Sequence, residues 1–179
     1  DASETKTTLI DQPVLGDYVQ GGFVFHVEDD YFLVSGIEDL SHDSPWSSKN
    51  IRIGNTQKEL GTGNANTNAI IKAHGLNPKN SVAAKAIQYQ FEGYADWFLP
   101  SEFELDKMFK KRGTINSVSK QNGGDRFNPT LCYYSSTEYN TKNEISVCFG
   151  AGLSGYSSKL DGIGAIRPIR QVCYTSEEG

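Results

Sequence analysis

The sequence predicts an α+β fold built on a small, mostly antiparallel sheet. Three observations carry this: strand-like apolar runs come first, three segments of helical periodicity fill the middle, and strand-like runs return at the end. At 179 residues the chain suits one domain with a sizeable core. That domain is expected over 14–174, with 1–13 a flexible arm or linker and 175–179 a tail.

The first element is a β-hairpin. In "GGFVFHVEDDYFLVSGI", Phe23–Val27 and Tyr31–Ile37 are rich in aromatic and β-branched residues, and Glu28-Asp29-Asp30 is the polar turn between them. The following stretch, "EDLSHDSPWSSKNIRIGNTQKELGTGNANTN", is loop-like, with Trp46, Ile51 and Ile53 expected to pin it to a core. A first helix is expected over Ala65–His74, with Ala65, Ala69, Ile70 and Ala73 on one face and Gly75 as its stop. A second is expected over Val82–Glu92, capped by Ser81, striped by Ala84, Ile87 and Phe91, and ended by Gly93. The third begins inside "GYADWFLPSEFEL". Pro100 marks the stop, Ser101 and Glu104 have the spacing of a capping box, Leu105, Met108 and Phe109 face inward, and Gly113 terminates it. "INSVSKQNGGDRFNPT" reads as a polar loop. The runs "LCYYSST", "EISVCFG" and "GAIRPIR", the last continuing into "QVCY", close the chain as strands.

Composition narrows the function. Hydrophobic residues at 37%, charged residues at 22% and 18 glycines describe a loop-rich globular protein, not a disordered one. The formal charge of -5 and the lack of a basic stripe argue against nucleic acid as a partner. The tightest basic cluster, Lys107, Lys110, Lys111 and Arg112, sits where a helix end favours cations. No apolar run approaches the roughly 20 residues a membrane helix needs, so no membrane insertion is expected. The start, "DASETKTTLI", has neither an initiating Met nor a signal-peptide core and reads as a mature or trimmed end. Cys132, Cys148 and Cys173 lack zinc-knuckle or C-x-x-C spacing; inert buried thiols and one disulfide among the three are both open.

Several motifs invite chemistry. Gly61-Thr62-Gly63 precedes a helix as a phosphate loop would, but no lysine follows at P-loop spacing, so a turn and helix start is the reading. "GLSG", Gly152–Gly155, lacks the fifth glycine and following helix of a nucleophile elbow, and nothing ties His26, His42 or His74 to Ser154. Asp29, Asp30, Asp39, Asp43 and Asp161 are solvated turn acids by default, with a loop-built calcium site as the alternative. Asp96, Glu102 and Glu104 beside Trp97 could form an acid pair, but the helix cap claims Glu104 and the first turn claims Glu102. The most ligand-like segment is Tyr139–Asp161. Tyr139, Asn140, Lys142, Asn143, Tyr156, Ser157, Lys159 and Asp161 are placed on loops flanking one strand, in the residue types that adaptable binding surfaces favour. Ordinary hydrophilic hairpin loops are the competing reading.

"GGFVFHV", "GTGNANTNAI", "GYADWFLPSEFEL", "YYSSTEY" and "AIRPIR", in this order, resemble the Lcl C-terminal domain family of bacterial surface proteins. The resemblance runs from about Val14 to Val172. It implies a C-type-lectin-like fold, with helices on a small twisted sheet, long irregular loops, and N- and C-terminal strands that pair. It also implies display at the bacterial cell surface and a non-enzymatic role in binding a glycan or a host or neighbour-cell surface protein, with the ligand face near the C-terminal strands. No cofactor is expected beyond the open calcium question. A structural module of a surface appendage is one alternative. A metal oxidase similar to the formylglycine-generating enzymes is the other, although Cys148 and Cys173 are far apart for the cysteine pair those enzymes use.

Overall fold

The computed structural model describes residues 12–40 and 43–174. Residues 1–11 of the expected arm, the tail 175–179 and His42 lie outside the described residues; Pro13 is already buried. Among the described residues the chain is α+β, with seven strands in two antiparallel sheets and four helices.

The first sheet has the order β1-β2-β3-β7, from β1 (Tyr18–Val19), β2 (Gly22–Val27), β3 (Tyr31–Ser35) and β7 (Ile169–Cys173). The β2–β3 hairpin is the one the sequence predicts, and it registers Phe23 with Ser35 and Val27 with Phe32. Short β1 is added by a tight turn in which Gln20 and Gly21 both take positive φ, as hairpin turns matching strand twist require. Gly22 admits no Cβ, which would collide with the Ser35 carbonyl. Strand β7 pairs antiparallel with β3 from Tyr31–Cys173 to Ser35–Ile169, so the last strand joins the third; β1, the first strand, which the resemblance would pair with it, lies at the opposite edge of the sheet.

The second sheet has the order β4-β5-β6, from β4 (Cys132–Glu138), β5 (Asn143–Cys148) and β6 (Leu153–Ser158). Strand β6 falls where the sequence reading placed a ligand loop. Cys132 and Cys148 face each other in the β4–β5 ladder and are joined as a disulfide, while Cys173 is free and exposed.

The helices are α1 (Gly63–His74), α2 (Val82–Ile87), α3 (Glu102–Lys110) and α4 (Arg112–Gln121). Ser81 caps α2 through the Ala84 N–H, but the helix is shorter than expected. The chain turns back at Glu92-Gly93, both with positive φ, and Phe91 bridges Tyr94. Gly113 does not stop α3. The break falls at Lys111, and the segment read as a polar loop forms α4, anchored by buried Ile115 and Ser119. Helix α1 also differs from expectation: Ala65 and Ala73 are exposed, and its buried face is Gly63, Asn66, Thr67 and Ile70.

That polar face has a purpose. Asn66 Oδ1 accepts the Gln57 N–H (2.8 Å) and Asn66 Nδ2 donates to the Gln57 carbonyl (2.6 Å). Thr67 Oγ1 accepts the Leu99 N–H (3.1 Å) and donates to the Gly63 carbonyl (2.8 Å). The loop before α1 and the segment before α3 thus receive their backbone bonds from side chains. The Ser101–Glu104 capping box forms as predicted, but Glu104 does more than cap. It is fully buried, and its carboxylate accepts the N–H groups of Ser101 (2.6 Å), Gly61 (2.9 Å) and, more weakly, Gly63 (3.4 Å).

Both sheets meet α3 and α4 over one core that includes Phe23, Phe25, Phe98, Leu105, Met108, Tyr133 and Phe149. A second cluster holds Trp46, Ile70, Val82, Leu99 and Ile166. Trp46 pins the long loop as expected, its indole N–H donating to the Ser135 carbonyl at 2.7 Å. Ile53 packs partly against this cluster, but Ile51 is exposed. Among the described residues no helix is long and apolar enough to cross a membrane.

Removing the Glu104 carboxylate leaves buried N–H donors unpaired. Glu104→Ala is therefore expected to lower unfolding free energy by about 3 kcal/mol, read from urea denaturation curves.

Candidate functional site

The β4–β5 hairpin turns through Tyr139, Asn140, Thr141 and Lys142. Asn140 makes that turn rigid. Its Oδ1 accepts the N–H groups of Lys142 and Asn143, each at 2.8 Å, and the N–H groups of Tyr139 and Asn140 both donate to the Asn143 carbonyl at 3.1 Å. The turn holds the Tyr139 ring against Tyr156, which stands opposite Ile145 on β6. The two rings are parallel, 4.6 Å between centroids and 6° between planes. Tyr139 is 51% and Tyr156 62% exposed, so the stacked pair presents wide ring surface to solvent. Beside it, Glu102, Ile145, Ser154 and Gly155 complete a shallow hollow of about 150 Å³.

The eight residues of the sequence reading divide among three places. Tyr139, Asn140, Lys142 and Asn143 belong to the hairpin turn and its exit, and Tyr156 joins Tyr139 across β5. Ser157 is the next residue on β6, so it points to the opposite sheet face, where it lines a separate cavity. Asp161 lies on that second side too, its carbonyl accepting the Tyr134 hydroxyl at 2.6 Å.

Lys159 requires a correction: it is not on an open loop. Its side chain is fully buried, its ammonium pairs with Glu138, donates to the Ile51 carbonyl at 2.9 Å and lies 4.9 Å from the Trp46 ring centroid. Glu138 also accepts the N–H groups of Ile53 (2.8 Å) and Gly54 (3.1 Å) and pairs with Arg52. Burial alone would push the Glu138 carboxyl up; the Ile53 N–H, the Lys159 ammonium and the Gly54 N–H outweigh it and hold the group below its ordinary value. The pair thus anchors the end of β4 beside the Tyr139 turn, whose Lys142 carbonyl accepts the Lys159 N–H at 2.9 Å.

The residues of the hollow outside the predicted ligand set are Ile145, Ser154, Gly155 and, as a rim acid, Glu102. The sequence sets Glu102 beside Asp96 and Glu104. The structure separates these three. Asp96 pairs with Arg170, Glu104 is enclosed by backbone N–H groups, and Glu102 stands at the hollow.

The other motifs are architectural. Gly63 packs so closely that a Cβ would collide with the Glu104 carboxylate and the Leu99 carbonyl. Ser154 lies within a strand, not at a strand-to-helix turn; His26 bonds Glu28 and His74 bonds Ser47. Asp39 accepts from Arg167 Nε and the Tyr133 hydroxyl, each at 2.7 Å. Among the described residues there is no group of three or more His, Cys, Asp or Glu placed to hold a metal ion. In comparisons with known proteins, the chain matches no family model and no curated protein.

Taking away one member of a buried ion pair strands the other. Lys159→Met should destabilise the protein by about 3 kcal/mol in thermal or urea unfolding, the low end of such losses because Arg52 and two N–H groups still hold Glu138.

Proposed function

We propose that this chain is a non-enzymatic binding domain with a C-type-lectin-like fold, displayed outside a bacterial cell, that recognises a glycan or a surface protein. The observation that carries the reading is the stacked Tyr139–Tyr156 pair, rigidly mounted, more than half exposed, and bordered by a hollow with a carboxylate at its rim. Aromatic faces offer contact area at low entropy cost, and sugars and peptides both present C–H surface that packs on them. Ser154 in the hollow adds a hydroxyl beside the pair. The pairing of β3 with β7 is consistent with the proposed fold, and the Cys132–Cys148 disulfide with an oxidising compartment. A second reading, a structural module of a surface appendage, is favoured by β6. Among the described residues no strand pairs with its outer edge, which leaves backbone groups available for strand addition.

A binding screen against immobilised glycans and matrix proteins tests the first reading. Tyr139→Ala and Tyr156→Ala should each weaken the captured interaction about tenfold, the size expected when a central aromatic contact is truncated. Undiminished binding by both variants removes the site assignment. A defined oligomer in light scattering, with no captured ligand, supports the appendage reading instead.

A further inference from the structure

Among the described residues three glutamates are buried: Glu104, Glu138 and Glu144. Two have full sets of complementary groups. Glu104 has its ring of backbone N–H donors, and Glu138 has Lys159, Arg52 and two N–H groups. Glu144, on β5, is fully buried and has one hydroxyl, Ser146 Oγ, at 2.8 Å from each carboxylate oxygen. A single hydroxyl hydrogen serves one oxygen at a time, so at least one is left without a donor.

Glu144 stands at a cavity of about 270 Å³ on the face of the β4-β5-β6 sheet opposite the stacked tyrosines. Leu131, Ile163 and Cys132 of the disulfide give it apolar walls; Thr130 and Ser157 add hydroxyls. No lysine, arginine or histidine is among these lining residues, and the buried Lys159 ammonium is committed to Glu138. The Tyr134 hydroxyl is also committed, donating to the Asp161 carbonyl and accepting the Gly164 N–H at 3.0 Å. Ile163, 71% exposed, and the exposed Thr130 put the cavity's rim at the surface.

We propose that this cavity is a binding site for a small organic amine, with Glu144 as the counter-ion of its protonated nitrogen and the apolar walls taking its hydrocarbon. The chain supplies an acid and a dry wall but no cation, so the complement comes from the ligand. At about 30 Å³ per water-sized group, the volume suits a ligand of roughly nine non-hydrogen atoms. The site shares no residue with the tyrosine hollow, so it stands whether or not that face binds a glycan.

Binding should carry a proton signature. Burial pushes the Glu144 carboxyl up to about 8, with the Ser146 hydroxyl opposing weakly, so at pH 7 it is mostly protonated. The other titratable groups around it are Tyr134 on β4, itself raised by burial, and Asp161 on the following loop, which acts on Tyr134; Cys132 and Cys148 are locked in the disulfide. When an alkylammonium docks, it keeps its own proton, and the carboxyl releases one to the buffer.

Calorimetric titration with cyclohexylamine, with cyclohexanol as the neutral analogue, tests this. The wild type should bind the amine at millimolar concentration or below, releasing close to one proton at pH 7 and far less at pH 9.5, as judged in buffers of different ionisation enthalpy. Glu144→Gln should weaken the amine at least tenfold and leave cyclohexanol unchanged. Tyr139→Ala should alter neither. The pH dependence of stability shows that the substitution is folded and acts as described. Because the native state favours protonated Glu144, the wild-type folding equilibrium should weaken by up to about tenfold per pH unit from the ordinary carboxylate range up to pH 8, then level off. Glu144→Gln should lose its share of that slope and keep the share of Glu104, which burial also raises. No amine binding, equal amine binding by wild type and Glu144→Gln, or cyclohexanol binding as tightly as the amine would each overturn the proposal.

Discussion

The structure depends on one buried carboxylate. Glu104 is reached by N–H groups from three segments: its own helix start, the turn at Gly61 and the first residue of α1. Desolvating a carboxyl is costly and pushes its proton affinity up; the N–H groups of Ser101, Gly63 and Gly61 oppose that rise. The arrangement works only if those three segments arrive together. It therefore couples the position of the long polar loop to the start of α3, and through Thr137, which donates to the Gln57 carbonyl and accepts the Glu102 N–H, to the end of β4. The end of β4 carries the Tyr139 turn. The hollow is thus framed by a rigid network, although most of its residues belong to loops and an edge strand.

Patterns that are strong and local were legible in the sequence. The β2–β3 hairpin has dense aromatic and β-branched residues, and the α3 cap has serine and glutamate at fixed spacing. Helix α4 was hidden because its buried face is small, with Ile115 and Ser119 among polar neighbours. Strand β6 was hidden because Leu153, Ser154, Gly155 and Tyr156 are all exposed, which erases the alternation that betrays a half-buried strand. The buried face of α1 differs from expectation for the converse reason: amide and hydroxyl groups are inside because loop backbone needs them, Ala65 and Ala73 are outside, and only Ile70 of the expected face is fully buried.

At the candidate site, the residue types were legible and their relations were not. Tyr139 and Tyr156 were both named, but their stacking passes through the register of β5, which no local pattern encodes. Lys159 was read as an open cation because its partner, Glu138, lies 21 residues away on another strand. The same second sheet carries opposite chemistry on its two faces: phenol rings on one, and a lone acid among apolar walls on the other. Strand alternation alone produces that division, since Tyr156 and Ser157 are neighbours in sequence.

Both tryptophans are sealed in the interior. Trp46 and Trp97 have essentially no exposure, each indole N–H is held by a backbone carbonyl, and neither lines the tyrosine hollow or the Glu144 cavity. The protein therefore separates its own optical signals. Indole emission follows the Trp46 core and the packing of Trp97 on Tyr89 as the chain unfolds, while a ligand settling on the outer rings perturbs phenol absorption near the surface. Folding and occupancy can be followed in one cuvette, at different wavelengths, without a label.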